Sequence, residues 1–373
     1  MSSRFLDHQN RMTRAEVAIC AFMLLTTFRI NQLPSVLAEA AGAGGLWVVL
    51  VGIAVDLAVL AASLWTARMG GLGALPLHPM AKRILGGLLG LFCLFKGVFY
   101  TQDIVGYCMG NLFNQATVWV LVAVGIVMAS LLAVKGFAGI GRTALIFGFL
   151  SLALVAISLV FLEPAGETYN LFALFHPFSF GKGFLRSALW MGDGVLFVFA
   201  DTRENMRAKR RWLWPVIGTV AAVLSLVLFY IDFLYTYGSA GQYIQYAFAR
   251  MLVNGAPEVI GAVDWPLMLV WLLMVPPVLG LFFYAACEGA RQVCGQHKHK
   301  GEGAVIGCAA LAVGLYAALF YNKDGALRLV ESTAVSTVIW CVLLVVCILA
   351  AVAAAKRREK APSTTQKEKK NEG

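Results

Sequence analysis

The chain is 373 residues long, 60% hydrophobic and only 13% charged, yet carries a formal net charge of +10. Soluble globular proteins carry about 25% charged residues, and apolar runs long enough to cross a bilayer recur here from end to end. These figures exclude a soluble multidomain enzyme and predict an all-α polytopic membrane protein. The basic residues form no compact stripe with aromatics, so no nucleic-acid partner is expected.

In chain order, residues 1–14 form a cytoplasmic N-terminal segment holding Arg4, Arg11 and Arg14. No small-residue cleavage site follows, so the first apolar run reads as an uncleaved span rather than a signal peptide. At roughly 20 apolar residues per spanning helix, the sequence predicts ten spans: 15–33, 46–66, 85–110, 117–134, 139–162, 183–200, 212–237, 264–290, 303–321 and 334–354. The longest connections are 163–182 and 238–263, the second with an amphipathic stretch from Tyr243 to Val253. Residues 15–355 form the transmembrane domain, and 356–373 a basic, disordered tail.

Charge placement sets the orientation. With the N-terminus inside, internal segments hold 23 Lys and Arg, including Arg68, Lys82, Arg83, Lys135, Arg142, Arg203, Arg291 and seven in the tail; external segments hold 5, namely Lys182, Arg186, Arg250, Lys323 and Arg328. That asymmetry obeys the positive-inside rule and places both termini in the cytoplasm. Ten spans then divide into repeats of about 15–162 and 183–354, and an odd number of spans per repeat inverts one against the other, as in inverted-repeat transporters. The first span of each repeat reads as interrupted. Span 1 runs Arg29 through Leu33 into Pro34, and proline lacks the N–H and disfavours helix at the residue before it. Span 6 contains Met191, Gly192, Asp193 and Gly194, where two glycines loosen the helix. Matched interruptions point to a binding site.

Four charges lie near the midplane: Arg29, Asp56, Lys96 and Asp193, each roughly 15–21 Å from the start of its span. A charge at that depth costs roughly 2.5–3.5 kcal/mol on insertion scales, so two cations and two anions predict pairing. Two readings are open. In one, Arg29 pairs with Asp193 or Asp56 and Lys96 with the other. In the other, Arg29 or the backbone N–H groups at Asn31 to Leu33 take a ligand carboxylate, and Asp193 takes its ammonium. Lys96, Tyr100 and Asp103 share a helix face, either as a Lys96–Asp103 bridge with Tyr100 packed beside it or as a cavity wall. Gly86, Gly90, Gly106 and Gly110 predict close helix packing. Asp232 and Asp264 fall near outer span ends. Pro276, Pro277 and Gly280 predict a kink in span 8.

Chemistry-bearing motifs are otherwise sparse. Cys294, His297 and His299 lack the fourth ligand that zinc needs, so no metal is expected. Gly106, Cys108 and Gly110 imitate a nucleophile elbow but lie mid-helix with no histidine partner. The sequence predicts no enzyme, no cofactor and no disulfide framework for its eight cysteines.

Several stretches carry a resemblance: Leu33-Pro34 through Glu39 to Gly42 with Gly45 and Trp47; Lys135-Gly136 through Arg142; Glu163-Pro164 through Asn170-Leu171 and on to Trp190; and Tyr246 through Arg250, then Val263-Asp264 and Leu267 to Trp271. In order and spacing they resemble the B subunits of bacterial spore nutrient-germinant receptors, within the amino acid/polyamine/organocation transporter superfamily, over nearly all of 12–295. The resemblance implies a LeuT-like fold: ten transmembrane helices in a 5+5 inverted repeat, with discontinuous helices 1 and 6. It implies a permease-like subunit that senses a small nutrient such as an amino acid. Its partners would be an A-type membrane subunit and a C-type lipoprotein in the inner spore membrane. The alternative is a proton-coupled secondary transporter of amino acids or amines. Carried over by position, the ligand-binding residues would be Arg29, Asn31, Gln32, Leu33, Lys96, Tyr100, Gly192, Asp193 and Phe197. Where related first helices often have glycine at the break, this one reads Thr26-Thr27-Phe28-Arg29-Ile30-Asn31, and Pro276-Pro277 stand where sodium-coupled relatives have hydroxyls.

Overall fold

A computed structural model describes residues 12–112, 117–161, 166, 169–172, 179–200, 213–255, 264–295, 301–321 and 325–360. Everything described is helix, turn or irregular chain; no strand occurs among these residues. The helices are α1 (Arg14–Thr26), α2 (Arg29–Ala41), α3 (Gly45–Met69), α4 (Pro79–Asn111), α5 (Val118–Val134), α6 (Gly136–Phe161) and α7 (Tyr169–Phe172). After these come α8 (Phe180–Ser187), α9 (Leu213–Tyr237), α10 (Ala247–Gly255), α11 (Asp264–Cys294), α12 (Gly301–Phe320), α13 (Gly325–Glu331) and α14 (Thr333–Lys360). Among the described residues, eight helices are long and apolar enough to cross a membrane.

The two expected spans outside that eight have physical reasons to be. Helix α5 is apolar but only 17 residues long. The stretch expected as span 6 is broken: α8 gives way to a 3-10 turn at Ala188–Trp190 and, past Met191 and Gly192, to a 3-10 segment at Asp193–Phe199. Met191 is extended and Gly192 has φ +82°, a conformation that favours glycine.

The break in span 1 lies elsewhere than expected. Helical structure continues through Asn31, Leu33 and Pro34, and the discontinuity sits at Thr27 and Phe28 between α1 and α2. Its local cause is the threonine pair. Thr26 Oγ1 donates to the Phe22 carbonyl at 2.8 Å and Thr27 Oγ1 to the Met23 carbonyl at 2.7 Å, back-bonding that bends helices. Pro34 is tolerated inside α2. The first span therefore extends to Ala41, where Gly42 with φ +59° ends it.

Local chemistry explains the other ends. Thr13 and Glu16 form a capping box at the start of α1, and Pro79 opens α4 behind the His78 cap. The last helix runs on to Lys360, five residues past the expected edge, because alanines and long charged side chains are strong helix formers. The expectations for residues 1–11, the basic loop 201–212, the external loop at 173–178, His297 and His299, and the tail from 361 lie outside the described residues.

Helix α11 packs on α4, α5, α6 and α12; α1 packs on α9 and α6; α3 packs on the Asp193–Phe199 segment and on α14. Gly90 and Gly289 let α4 and α11 touch backbone to backbone: a Cβ on Gly90 would lie 2.9 Å from the Gly289 Cα. Gly86 similarly meets Gln292, so half of the expected small-residue stripe packs as predicted. Gly110 meets nothing within 4 Å among the described residues, while Gly106 lies under the Tyr246 hydroxyl. On α5, Val122, Ile126, Ala129 and Ala133 are buried, while Val120, Val124, Val127 and Leu131 are exposed. An exposed face as apolar as the buried one suits a helix against lipid tails.

Candidate functional site

The four midplane charges meet. Arg29, in the first turn of α2, reaches Asp56 on α3 through Nη1 and Asp193 through Nη2 at 3.3 Å. Lys96 on α4 lies 2.7 Å from the other oxygen of Asp193. All four side chains are at most 2% exposed, so the charges neutralise one another away from solvent. The pairing reading describes what forms, with Asp193 shared by both cations. The Lys96–Asp103 bridge does not form: Lys96 turns to the neighbouring segment, which offers a carboxylate and free carbonyls at once.

Those carbonyls come from the break beside Gly192. Lys96 Nζ donates to the Leu189 carbonyl at 2.5 Å and the Met191 carbonyl at 3.0 Å. The Gly192 N–H donates to Asp56 Oδ1 at 2.5 Å. An interrupted helix leaves backbone groups without intrahelical partners, and here Lys96 and Asp56 supply them. The Tyr100 hydroxyl donates to Asp193, 2.8 Å from Oδ2 and 2.9 Å from Oδ1. Its ring stacks on Phe28 at 4.1 Å, in the α1/α2 break, and lies 5.4 Å from Phe282. Trp271 Nε1 donates to the Thr27 carbonyl at 2.8 Å. Both breaks are thus held by side chains from α3, α4 and α11.

The structure brings Arg29, Lys96, Tyr100, Gly192 and Asp193 into one cluster, with Asp56 as the sixth member. The other expected site residues stand apart. Leu33 is buried in the apolar core. Phe197 packs edge-on to Phe137, which also meets Tyr284. Asn31 is 1% exposed, and its Nδ2 has no acceptor. Gln32 is half-buried and faces Asp103. Arg142 is exposed on α6 and stays outside the cluster. The sequence reading missed Phe28 and Trp271. The Thr26-Thr27 pair was the signal for both, since it sets where the helix must be capped. Away from the cluster, Arg186 of α8 bridges Glu39 of α2 at 2.6 Å and Glu331 of α13 at 3.0 Å.

No protein-family model and no curated protein matches the chain. Solved structures do match in shape. One is the crystal structure of a mutant manganese transporter from Eremococcus coleocola, with a TM-score of 0.55 at 10% identity, covering 98% of this chain and 91% of that one. The chain has a membrane transporter's fold. With eight apolar helices of spanning length, it is a polytopic integral membrane protein. In this transporter fold the charge cluster joins the two helix breaks to α3 and α4. Among the described residues, no group of three or more His, Cys, Asp or Glu gathers as metal ligands.

Proposed function

We propose that this chain is a permease-like nutrient-sensing subunit that binds an amino acid between its two helix breaks and signals to other receptor subunits. The observation that carries this reading is the side-chain-held break at Gly192 lying next to the break at Phe28 within a transporter fold. The ten-helix inverted repeat belongs to the same reading: α5 and the broken stretch 180–199 join the eight long helices as spans 4 and 6. The residue stretches that resemble germinant-receptor B subunits supply the sensing role, the A-type and lipoprotein C-type partners, and the inner spore membrane as location. The 23 to 5 distribution of Lys and Arg supplies cytoplasmic termini. No catalytic role is included.

The charge cluster acts as a switch in this reading. A ligand carboxylate can take Arg29 from its resting carboxylate partners, and binding one arrangement better shifts the population toward it. The neighbour's manganese is not carried over, because both carboxylates here are paired with Arg29 and Lys96, whose charges repel a divalent cation.

The chain alone, reconstituted in vesicles with a radiolabelled amino-acid panel, tests the reading. Saturable binding without accumulation is expected. Concentrative uptake dependent on a proton gradient would replace it with the alternative, a proton-coupled transporter of amino acids or amines.

A further inference from the structure

Asp103 shares the helix face of Lys96 and Tyr100, yet the charge cluster leaves it out. It lies seven residues beyond Lys96 on α4, about 10 Å along the axis, and is 3% exposed. Neither carboxylate oxygen has a hydrogen-bond partner of good geometry. Gln32, a neutral amide, faces it. Among the described residues no Lys or Arg pairs with it. A carboxylate buried without a counter-charge is costly to ionise, and a cationic group bound beside it would relieve that cost.

Its surroundings indicate which kind of cation. Tyr246 lies close to Asp103, and its hydroxyl rests over Gly106, where a Cβ would come within 2.5 Å. Gly106 is three residues on from Asp103, on the same face of α4. The Tyr246 ring packs edge-on to Tyr107 at 5.4 Å, and Tyr107 packs edge-on to Trp271 at 5.2 Å. Among the described residues Tyr246 is the only non-glycine with positive φ, at 57°. A carboxylate beside aromatic faces fits an organic ammonium, which gains from both the charge and the ring quadrupoles. A small inorganic cation prefers a cage of oxygens.

We propose that Asp103, with Gln32 and Tyr246, forms a subsite for the ammonium group of the ligand, distinct from the Arg29–Asp56–Lys96–Asp193 cluster. The proposal rests on the ligand-binding reading above and names the group that selects the ligand. The paired cluster senses and the unpaired acid recognises. Tyr246 precedes α10, so it reaches the neighbourhood of the acid from a segment outside the long helices.

The test uses the purified full chain in detergent and its thermal stabilisation by the twenty amino acids, their N-acetyl derivatives, the matching primary amines and sodium chloride. At least one free amino acid should stabilise the wild type, and its N-acetyl form should not. Asp103→Asn should weaken that amino acid by about 100-fold or more. Tyr246→Ala should weaken it by about tenfold, which keeps the proposal testable should Asp103→Asn fail to fold. Asp103→Asn or Tyr246→Ala binding within threefold of wild type overturns the subsite and leaves the ligand reading standing. Equal binding of the N-acetyl form overturns the subsite as well. Stabilisation by sodium chloride alone, lost in Asp103→Asn, replaces the ammonium with an inorganic cation. If no member of the panel stabilises the wild type, the ligand reading itself falls, and the subsite with it.

Discussion

At the residue scale, Asp193 is held by three side chains at once, Arg29, Lys96 and Tyr100. Removing one partner of a buried pair leaves the other uncompensated and costs about 3–5 kcal/mol. Asp193→Asn and Lys96→Met should each lower the melting temperature accordingly. Asp193→Asn with Lys96→Met should recover much of the loss, because Arg29 and Asp56 then balance. A double-mutant cycle showing simple additivity would count against the shared network. Tyr100→Phe removes only the hydroxyl and should cost about 1–3 kcal/mol. That four isolated charges must meet was legible in the sequence, since lone charges at bilayer depth are untenable. That Lys96 would choose Asp193 over Asp103 was not. The choice depends on the Leu189 and Met191 carbonyls, freed by a break whose geometry only the folded chain has.

At the element scale, both helix breaks are capped from elsewhere in the fold. Trp271→Phe deletes the donor to the Thr27 carbonyl and should destabilise by about 1 kcal/mol, read as faster amide exchange at the break. Gly90→Leu should cost more, because α4 and α11 touch there and overpacking typically costs about 1–3 kcal/mol. The Arg186 bridges to Glu39 and Glu331 are partly exposed and worth under about 1 kcal/mol each. Arg186→Gln should therefore leave the melting temperature near wild type while removing any salt dependence of accessibility beside Glu39 and Glu331, measured by cysteine labelling. Most span positions were readable because twenty-residue apolar runs have one physical use, but the first helix runs on to Ala41, eight residues past its expected end, and the expected sixth span is broken. The first break was misplaced by about three residues because proline draws attention, whereas a threonine pair bends the helix through hydrogen bonds that composition does not reveal.

At the scale of the whole molecule, an all-helical membrane protein could be anticipated from the recurring apolar runs; ten spans were expected and eight helices of spanning length stand among the described residues, and 10% identity to a solved neighbour is too low for sequence alone to carry the fold. Substituted-cysteine labelling from each side should place the Gly238–Tyr243 turn outside and residue 360 inside; the reverse would reject the orientation read from Lys and Arg. The buried network also imposes an order on biogenesis. Asp56 follows Arg29 by 27 residues, but Asp193 follows it by 164. Translation at ~5–20 residues per second separates those events by on the order of ten seconds. During that interval Arg29 has its first partner while Lys96, already emerged, has none. The nascent chain must shelter a lone lysine in the membrane until the second half arrives. A chain truncated before Asp193 should accordingly be a substrate for membrane quality control, degraded faster than one truncated just after α9.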